Sequence, residues 1–189
     1  YVANEAGFRQ TLSEALAIAH AGHVVTLGIR PTHPETGYGY IELGPERHGT
    51  RVAAAFVEKP DRARAEQYLA SGRYLWNAGT FFFPARRVLD ELRSQLPALA
   101  DILDELGEHP ERTAVRYPEA PAISIDYAVM ERLGLNHTAE ERAIRVLPGD
   151  FGWNDVGSFA ALEALHPADG KGNHVFASSP ATPRPVMVD

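Results

Sequence analysis

Two adjacent charged residues, Glu58 and Lys59, follow a predicted strand and precede a proline. The run at residues 51–57 is apolar and of strand length. Pro60 ends this predicted strand because proline has no N–H to donate to a neighbouring strand. We also expect Pro60 to keep the backbone of Lys59 extended. Ligands of open α/β sheets bind beyond the carboxyl ends of strands, where lysine offers a compact positive charge. Lys59 is one of only two lysines, beside Lys171, in an arginine-rich chain, which favours a specific need for an ammonium here. The alternative is an exposed strand end with a solvated ion pair.

Two further stretches combine glycine with side chains that suit a sugar. In T-G-Y-G-Y-I at residues 36–41, glycine allows close approach of the backbone to a ligand, and Tyr38 offers a flat face and a hydroxyl. In W-N-A-G-T-F at residues 76–81, Asn77 can both donate and accept, as sugar hydroxyls require. The alternative for both stretches is turn chemistry at the start of a strand.

Two acidic stretches lie later in the chain. In S-I-D-Y-A-V-M-E at residues 124–131, Asp126 falls in the first turn of a predicted helix, where it favours the helix dipole without any further role. The loop D-F-G-W-N-D-V-G-S at residues 150–158 places two carboxylates and an asparagine among glycines. Oxygen ligands on such a loop suit Mg²⁺, which usually takes one or two protein carboxylates plus substrate phosphates. The alternative is a helix-capping loop with Ser158 or Asp155 as the cap.

The composition excludes several classes of protein. The net charge of −7 argues against a binder of nucleic acid or of anionic membranes. The sequence has no cysteine, which excludes disulfides and thiolate metal sites and favours a cytoplasmic location. Its eight histidines lack the i, i+4 spacing of a zinc helix, and no P-loop, G-x-S-x-G elbow, membrane span or signal-peptide pattern is present.

The elements that must position these residues follow from hydrophobic periodicity and from glycine and proline breaks. A helix followed by a doubly buried strand indicates an α/β protein. The predicted helices are 4–21 (capped by Asn4, ended by Gly22), 62–71 (capped by Asp61), 84–96 (broken by Pro97), 99–106 (ended by Gly107), 125–133 (capped by Ser124) and 158–165. The predicted strands are 24–29, 40–43, 51–58, 76–83, 143–147 and a final one near 186–189, with a turn at 44–50 and a loop at 108–123.

The domain organisation predicted from the sequence is one large domain over residues 1–165. Residues 166–189 read as a linker and the first strand towards a following domain. Because the sequence enters a helix almost at once and ends in an apolar run, we expect it to be an interior piece of a longer protein whose sheet has further strands.

The ordered set T-G-Y-G-Y-I, F-V-E-K-P, W-N-A-G-T-F, S-I-D-Y-A-V-M-E and G-W-N-D-V-G-S resembles the mannose-1-phosphate guanylyltransferases, also called GDP-mannose pyrophosphorylases. The resemblance extends from the first helix to about Leu165. E-K-P is shared by the wider sugar-1-phosphate nucleotidylyltransferases, whereas W-N-D-V-G-S and S-I-D-Y are more specific to the guanylyl, mannose-type branch. It implies an α/β fold with a Rossmann-like mixed sheet flanked by helices, of the nucleotide-diphospho-sugar transferase type.

The resemblance also implies a reaction and a set of residues. The reaction joins mannose 1-phosphate and GTP into GDP-mannose and pyrophosphate, with Mg²⁺ as cofactor. Glu58 is implied to bind sugar hydroxyls and Lys59 the sugar phosphate, and Asp155 is implied as one of two aspartates that hold the metal. Lys59 and Asp155 are thus the expected catalytic residues. The sugar pocket is implied to be lined by Gly37, Tyr38, Asn77 and Gly79.

Two motifs of that family are not found in the sequence. They are the glycine-rich G-G-x-G-x-R-L loop that cradles the triphosphate and the other metal-binding aspartate. We therefore expect this chain to be the sugar-binding and closing portion of the enzyme, without activity by itself. Two alternatives stay open: a thymidylyl- or uridylyltransferase acting on glucose 1-phosphate, and a non-catalytic sugar-phosphate-binding module. A homo-oligomer and a following isomerase domain also stay open.

Overall fold

The strand Val24–Ile29 (β1) is buried at all six positions, as its continuous apolar run predicts. It pairs antiparallel with Tyr74–Phe82 (β4) on one side and parallel with Ile144–Gly149 (β5) on the other. The structure is a computed structural model that describes residues 1–47, 49–135, 144–157, 159–163, 165 and 168–174. Two compact units divide the chain: Glu5–Asp150 forms the larger, and Tyr1–Asn4 together with Phe151–Asp189 forms the smaller.

The remaining elements are helices, two further strands and short helical turns. The α-helices are Glu5–His20 (α1), Arg62–Ser71 (α2), Ala85–Gln95 (α3), Pro97–Glu108 (α4), Thr113–Arg116 (α5), Glu131–Leu135 (α6) and Phe159–Glu163 (α7). The other two strands are Tyr40–Arg47 (β2) and Thr50–Val57 (β3). Two 3₁₀ turns, Pro110–Arg112 and Tyr117–Glu119, flank α5, and a π-helix, Asp126–Met130, precedes α6.

The five strands in the described part of the chain form one mixed sheet. Their order is β1-β4-β2-β3-β5, and β5 returns to pair with β1, so the described strands close on themselves. All pairs are antiparallel except β1–β5, and the closing β3–β5 contact is short, with Arg51 opposite Val146 and Val52 opposite Arg145. The predicted mixed α/β sheet flanked by helices is confirmed.

The hydrophobic core lies between this sheet and the π-helix–α6 segment. Ile41, Phe56 and Ile144 from three strands pack with Val129 and Met130, and all five are at most 1% exposed. Burying a large aliphatic or aromatic side chain contributes about 1.5–3 kcal/mol, so this contact fixes the π-helix against the sheet. It also fixes Asp126, the first residue of the π-helix, close to the strands.

Several predicted boundaries are confirmed closely. The α2 helix begins after Asp61, whose carboxylate accepts from Arg64 N at 2.9 Å, and Gly72 ends it with a φ of +65°. The strand predicted at 76–83 is β4, shifted to Tyr74–Phe82. The strand predicted at 143–147 is β5, whose described residues begin at Ile144.

The turn predicted at 44–50 is wrong, because β2 continues to Arg47. The pairing shifts register between Leu43 and Glu46, so a bulge accommodates Pro45 within the hairpin. The Arg51 guanidinium donates to the Gly44 carbonyl at 2.8 Å and satisfies an oxygen that the shifted ladder leaves available. The hairpin with β3 itself is confirmed.

Two helical predictions also need correction. The loop predicted at 108–123 contains helical turns instead, because Pro110 is the first residue of one 3₁₀ turn and Pro118 the second residue of the other. The helix predicted over 125–133 begins as the π-helix, and Ser124 does not cap it through its side chain. The Ser124 carbonyl instead accepts from Ala128 N at 2.9 Å. The last predicted helix, 158–165, is the shorter α7.

The smaller unit contains the residues around Asp155. Val2 and Trp153 form an antiparallel bridge, and Ala3 N and Asn4 N both donate to the Phe151 carbonyl, at 3.1 and 3.0 Å. Ala168 and His174 form a second bridge around a tight turn. Apart from residues 168–174, the predicted linker and final strand lie outside the described residues, so the predicted boundary at 165 stays a prediction. Within the described ranges, no helix has both the length and the apolar character needed to cross a membrane.

Candidate sugar-phosphate site

The turn after β3 carries Lys59 in an unexpected backbone conformation. Lys59 has a φ of +46°, in the left-handed region, so the prediction that Pro60 keeps it extended is wrong. A following proline ordinarily favours extended backbone at the residue before it, so Lys59 departs here from the local preference. Non-glycine residues in this region cost about 1–3 kcal/mol and cluster at functional sites. Lys59 is 57% exposed at its side chain, which leaves the ammonium accessible to an anion.

Glu58 lies beside Lys59 but in a different environment. Its side chain is only 9% exposed, and its Oε1 lies 3.5 Å from Lys59 Nζ. Burial raises the pKa of the Glu58 carboxyl, the negative charge of Asp126 raises it further, and Lys59 opposes both effects. The strand tip therefore combines a buried carboxylate with an exposed ammonium.

Gly39, at the start of β2, provides the space next to Glu58. A Cβ at position 39 would lie 2.6 Å from Glu58 Oε2 and 3.2 Å from the Asn77 Cβ, so a side chain there would displace the carboxylate. Gly37, the glycine predicted for the pocket, instead donates its N–H to Glu35 Oε1 at 2.8 Å and is exposed. Contact between Gly37 and a ligand stays a prediction, whereas Gly39 is the glycine that contacts Glu58.

Asn77 is the centre of a hydrogen-bond network under this space. Its side-chain oxygen accepts from Thr26 Oγ1 at 2.9 Å and from Gly79 N at 3.1 Å. Its Nδ2 donates to Asp126 Oδ1 at 3.2 Å. Asn77 is 8% exposed, and its backbone N–H donates to the Gly39 carbonyl at 2.8 Å. Its side-chain oxygen is thus used twice within the protein, and which of its atoms meets a ligand stays a prediction.

Gly79 and Asp126 complete the network from two sides. Gly79 lies in an irregular part of β4, where the pairing with β1 passes from Gly28↔Asn77 to Thr26↔Phe81. Its φ of +66° requires glycine or a strained residue, and this backbone turn aims its N–H at Asn77. The π-helix holds Asp126 at its first turn, and π-helical turns frequently mark functional sites.

The loop before β2 forms an aromatic wall beside Asn77. The rings of His33 and Tyr38 both meet Trp76 edge-on, with centroids 4.9 and 5.3 Å away. Trp76 precedes Asn77 in β4 and is 5% exposed. Tyr38 is thus held against Trp76, the neighbour of Asn77, and its place in a sugar pocket stays a prediction.

Asp155 lies in the smaller unit, on a tight turn. Asn154 Oδ1 accepts from Val156 N at 2.8 Å, and Val156 has a φ of +52°, which is unusual for a β-branched residue. Asp155 is exposed, and a Cβ on Gly157 would lie 2.5 Å from its Oδ2, so glycine leaves the carboxylate uncovered. Across the described ranges, no group of three or more His, Asp or Glu side chains could form a metal cage. A single open carboxylate fits a cation such as Mg²⁺, which takes most of its ligands from water and phosphate.

Sequence reasoning missed Thr26 and Gly39 and gave Asp126 little weight. The signal for Thr26 was available, since it is the only hydroxyl in an otherwise apolar strand and is fully buried. The signal for Asp126 was its place in the S-I-D-Y segment that carries the family resemblance. Its favourable interaction with the helix dipole was, however, a sufficient explanation by itself. What the fold adds is the proximity of Glu58, Asn77 and Asp126, which come from three separate elements.

Comparison with known proteins gives the family of this chain. Residues 2–172 match the family model described as nucleotidyl transferase. The chain belongs to the nucleotidyl transferase family. The match includes the strand tip with Glu58 and Lys59, Asn77 with its network, and the loop that carries Asp155.

Individual members of the nucleotidyl transferase family are similar over most of the chain. Xanthan biosynthesis protein XanB of Xanthomonas campestris pv. campestris (strain B100) is 46% identical over 91% of this chain and 36% of its own length. Mannose-1-phosphate guanylyltransferase of Escherichia coli (strain K12) is 40% identical over 91% of this chain and 37% of its own length. The chain therefore spans little more than a third of these curated relatives.

A solved structure of the same kind supports the fold. The crystal structure of mannose-1-phosphate geranyltransferase from Thermus thermophilus is 38% identical, with a TM-score of 0.76. The match covers 95% of this chain and 50% of that one.

Proposed function

We propose that the full-length protein transfers a guanylyl group from GTP to mannose 1-phosphate and releases pyrophosphate. The observation that carries the proposal is the cluster at the tip of β3, where Lys59 is exposed and the polar side chains of Glu58, Asn77 and Asp126 lie close together. Membership of the nucleotidyl transferase family supports the reaction class. The similarity to a protein named mannose-1-phosphate guanylyltransferase supports the choice of sugar and base.

The reaction is a substitution at phosphorus. A phosphate oxygen of mannose 1-phosphate forms a bond to the α-phosphorus of GTP, and the bond from that phosphorus to the bridging oxygen breaks. Pyrophosphate leaves with the electron pair, and GDP-mannose remains. The protein has little covalent work to do, so catalysis requires two polyanions to be held in line and their charge to be compensated.

Within this reaction Glu58 and Lys59 have separate tasks. The mostly buried Glu58 carboxylate accepts from sugar hydroxyls, and the exposed Lys59 ammonium neutralises the sugar phosphate as a point charge. Asn77 donates from its amide nitrogen, and Tyr38 offers a ring face beside Trp76. We include Gly37 and Gly79 in the pocket because the resemblance implies it.

Mg²⁺ is the proposed cofactor, and Asp155 is the residue of this chain that would hold it. When bound, the ion supplies positive charge that compensates the phosphates as negative charge moves to pyrophosphate. The exposed carboxylate of Asp155, on its Asn154-stabilised turn, has the donor chemistry that such an ion prefers. We also propose a cytoplasmic location, which rests on the cysteine-free sequence.

The test is a product assay of the full-length protein with GTP, mannose 1-phosphate and Mg²⁺. We expect GDP-mannose and pyrophosphate in equal amounts, at a turnover in the usual range of about 1–10³ per second. UTP or dTTP with glucose 1-phosphate should react far more slowly. Faster reaction with those substrates would assign the protein to another branch of the family. Binding of sugar phosphate without any turnover would favour a non-catalytic module.

A further inference from the structure

The orientation of the Asn77 amide is fixed by its partners on both sides. Gly79 N–H can only donate, so the atom 3.1 Å away must be the oxygen of Asn77. The Asp126 carboxylate accepts, so the atom 3.2 Å from it is the nitrogen. Rotating the amide by 180° would bring two donors together at Gly79 and two oxygens together at Asp126. The amide therefore has one favourable orientation.

Thr26 supplies the second hydrogen bond to the Asn77 oxygen. Its hydroxyl donates to Asn77 Oδ1 at 2.9 Å, whereas the other acceptor in range, the Thr80 carbonyl, is 3.4 Å away. Thr26 lies in the middle of β1 and is fully buried. With Thr26 and Gly79 both in place, the two lone pairs of the oxygen are occupied. The nitrogen has two protons, and among the described residues only Asp126 takes one of them. One N–H of Asn77 is left for a ligand.

We propose that Thr26 is a positioning residue that keeps Asn77 as a donor towards the sugar, so that the pocket selects a sugar oxygen able to accept. This inference rests on the proposed function. The recognised group is specific, because Asn77 Nδ2 and Glu58 Oε2 lie near each other: both are within 3.6 Å of the point where a Cβ of residue 39 would be, and glycine has no side chain to separate them from a ligand. A hydroxyl that contacts both atoms accepts from Asn77 and donates to Glu58. A deoxy position can do neither, and a fluorine cannot donate.

The experiment compares mannose 1-phosphate with its monodeoxy analogues in wild type and in Thr26→Val, which keeps the shape but removes the hydroxyl. In wild type we expect one deoxy analogue to lose at least about tenfold in kcat/KM, because a site that hydrogen-bonds a hydroxyl strongly rejects the analogue without it. In Thr26→Val this discrimination should fall below about threefold, since the Asn77 side chain loses one of the hydrogen bonds that hold it in place. Thr26→Ser keeps the hydroxyl and should retain the discrimination.

Thr50→Val is the matched control, since Thr50 is also buried and donates its hydroxyl to a backbone carbonyl, that of Arg47 at 2.9 Å. It should leave the discrimination unchanged even if stability falls. Equal discrimination in wild type and Thr26→Val would overturn the proposal and make Thr26 a structural residue. If Thr26→Val does not fold, Thr26→Cys replaces it, because a thiol is only a weak donor.

Failure of the proposed function gives a different result. If wild type forms no GDP-mannose, that function is overturned, and the same analogues are compared by calorimetric binding. Loss of binding discrimination in Thr26→Val but not in Thr26→Ser would still support the positioning role. Equal binding of all analogues to wild type would overturn it.

Discussion

The backbone of Gly39 lies against the carboxylate of Glu58, with no room for a β-carbon between them. An added Cβ would be 2.6 Å from Glu58 Oε2, and this oxygen belongs to a side chain that is only 9% exposed. The contact joins the start of β2 to the tip of β3 and defines the floor of the proposed sugar site.

Gly39→Ala should abolish sugar binding by displacing Glu58. We expect a loss of at least tenfold in kcat/KM for mannose 1-phosphate, which corresponds to about 1.4 kcal/mol. Gly37→Ala is the comparison: its Cβ would lie 3.2 Å from the Glu35 carboxylate, which can move aside, so a loss of activity there would report contact of Gly37 itself with the sugar. Steady-state kinetics of both variants measure the difference. A larger loss of kcat/KM in Gly37→Ala than in Gly39→Ala would indicate that Gly37, and not Gly39, lies next to the sugar.

Glu58→Gln should make the protein more stable at neutral pH while weakening sugar binding. Because the pKa of Glu58 is raised in the folded state, the folded protein binds its proton more tightly than the unfolded chain does. Stability from Glu58 is therefore largest below its unfolded pKa, about 4.3, and falls as pH rises through the folded pKa. The melting temperature of Glu58→Gln relative to wild type should increase over that pH range, as measured by thermal denaturation between pH 4 and 8.

Glu35→Gln should show the opposite sign and serves as the control. The Gly37 N–H lowers the pKa of Glu35, so its contribution is present above the unfolded pKa and is lost as pH falls through the folded pKa. We expect Glu35→Gln to be less stable than wild type at pH 7 and similar to it in acid. If both variants change in the same direction, local charge does not control the stability of this site.

Lys59→Ala should reduce kcat/KM for mannose 1-phosphate by about one to two powers of ten. Loss of a hydrogen bond to a charged group costs roughly 1.5–3 kcal/mol. Lys59→Arg should restore only part of the activity, because a planar guanidinium does not replace a compact ammonium. Lys171→Ala, which removes the other lysine of the chain, should have no kinetic effect. Near-normal kinetics in Lys59→Ala would reduce Lys59 to a surface ion-pair partner.

Asp155→Asn should raise the Mg²⁺ concentration needed for half-maximal rate and lower the maximal rate by at least about tenfold. The amide keeps the shape of the side chain but removes the charge that the ion requires. Asp150→Asn is the control in the same loop, because Asp150 is also an exposed carboxylate. Rates measured over a magnesium titration give both values. An unchanged titration in Asp155→Asn would leave Asp155 with a structural role only.

Local patterns in the sequence were enough to predict the main elements. The apolar run of β1, the Asp61 cap and the Gly72 stop each depend on neighbouring residues, and all three are confirmed. The backbone at Lys59 could not be predicted in this way, because a residue before proline is ordinarily extended, and tertiary contacts override that preference here. The same holds for Pro45, which a bulge accommodates inside a strand.

The sequence allowed candidate residues of the site to be named, but it did not allow the hydrogen bonds between them to be predicted. Glu58, Lys59 and Asn77 could be identified from their types and motifs. The proposed donor role of Asn77 depends on Thr26, which lies 51 residues away in sequence, and on the Asp126 carboxylate, 49 residues away on the other side. Hydrogen-bond direction is a property of the assembled fold, so single-sequence reasoning does not reach it.

The left-handed backbone of Lys59 has a consequence for how this position can change over generations. The residues that adopt this conformation most easily are glycine, asparagine and aspartate, and none of them carries a positive charge. A population selected only for a stable fold would therefore drift from lysine towards those residues at position 59. Persistence of lysine there in laboratory evolution would report continued selection for phosphate binding.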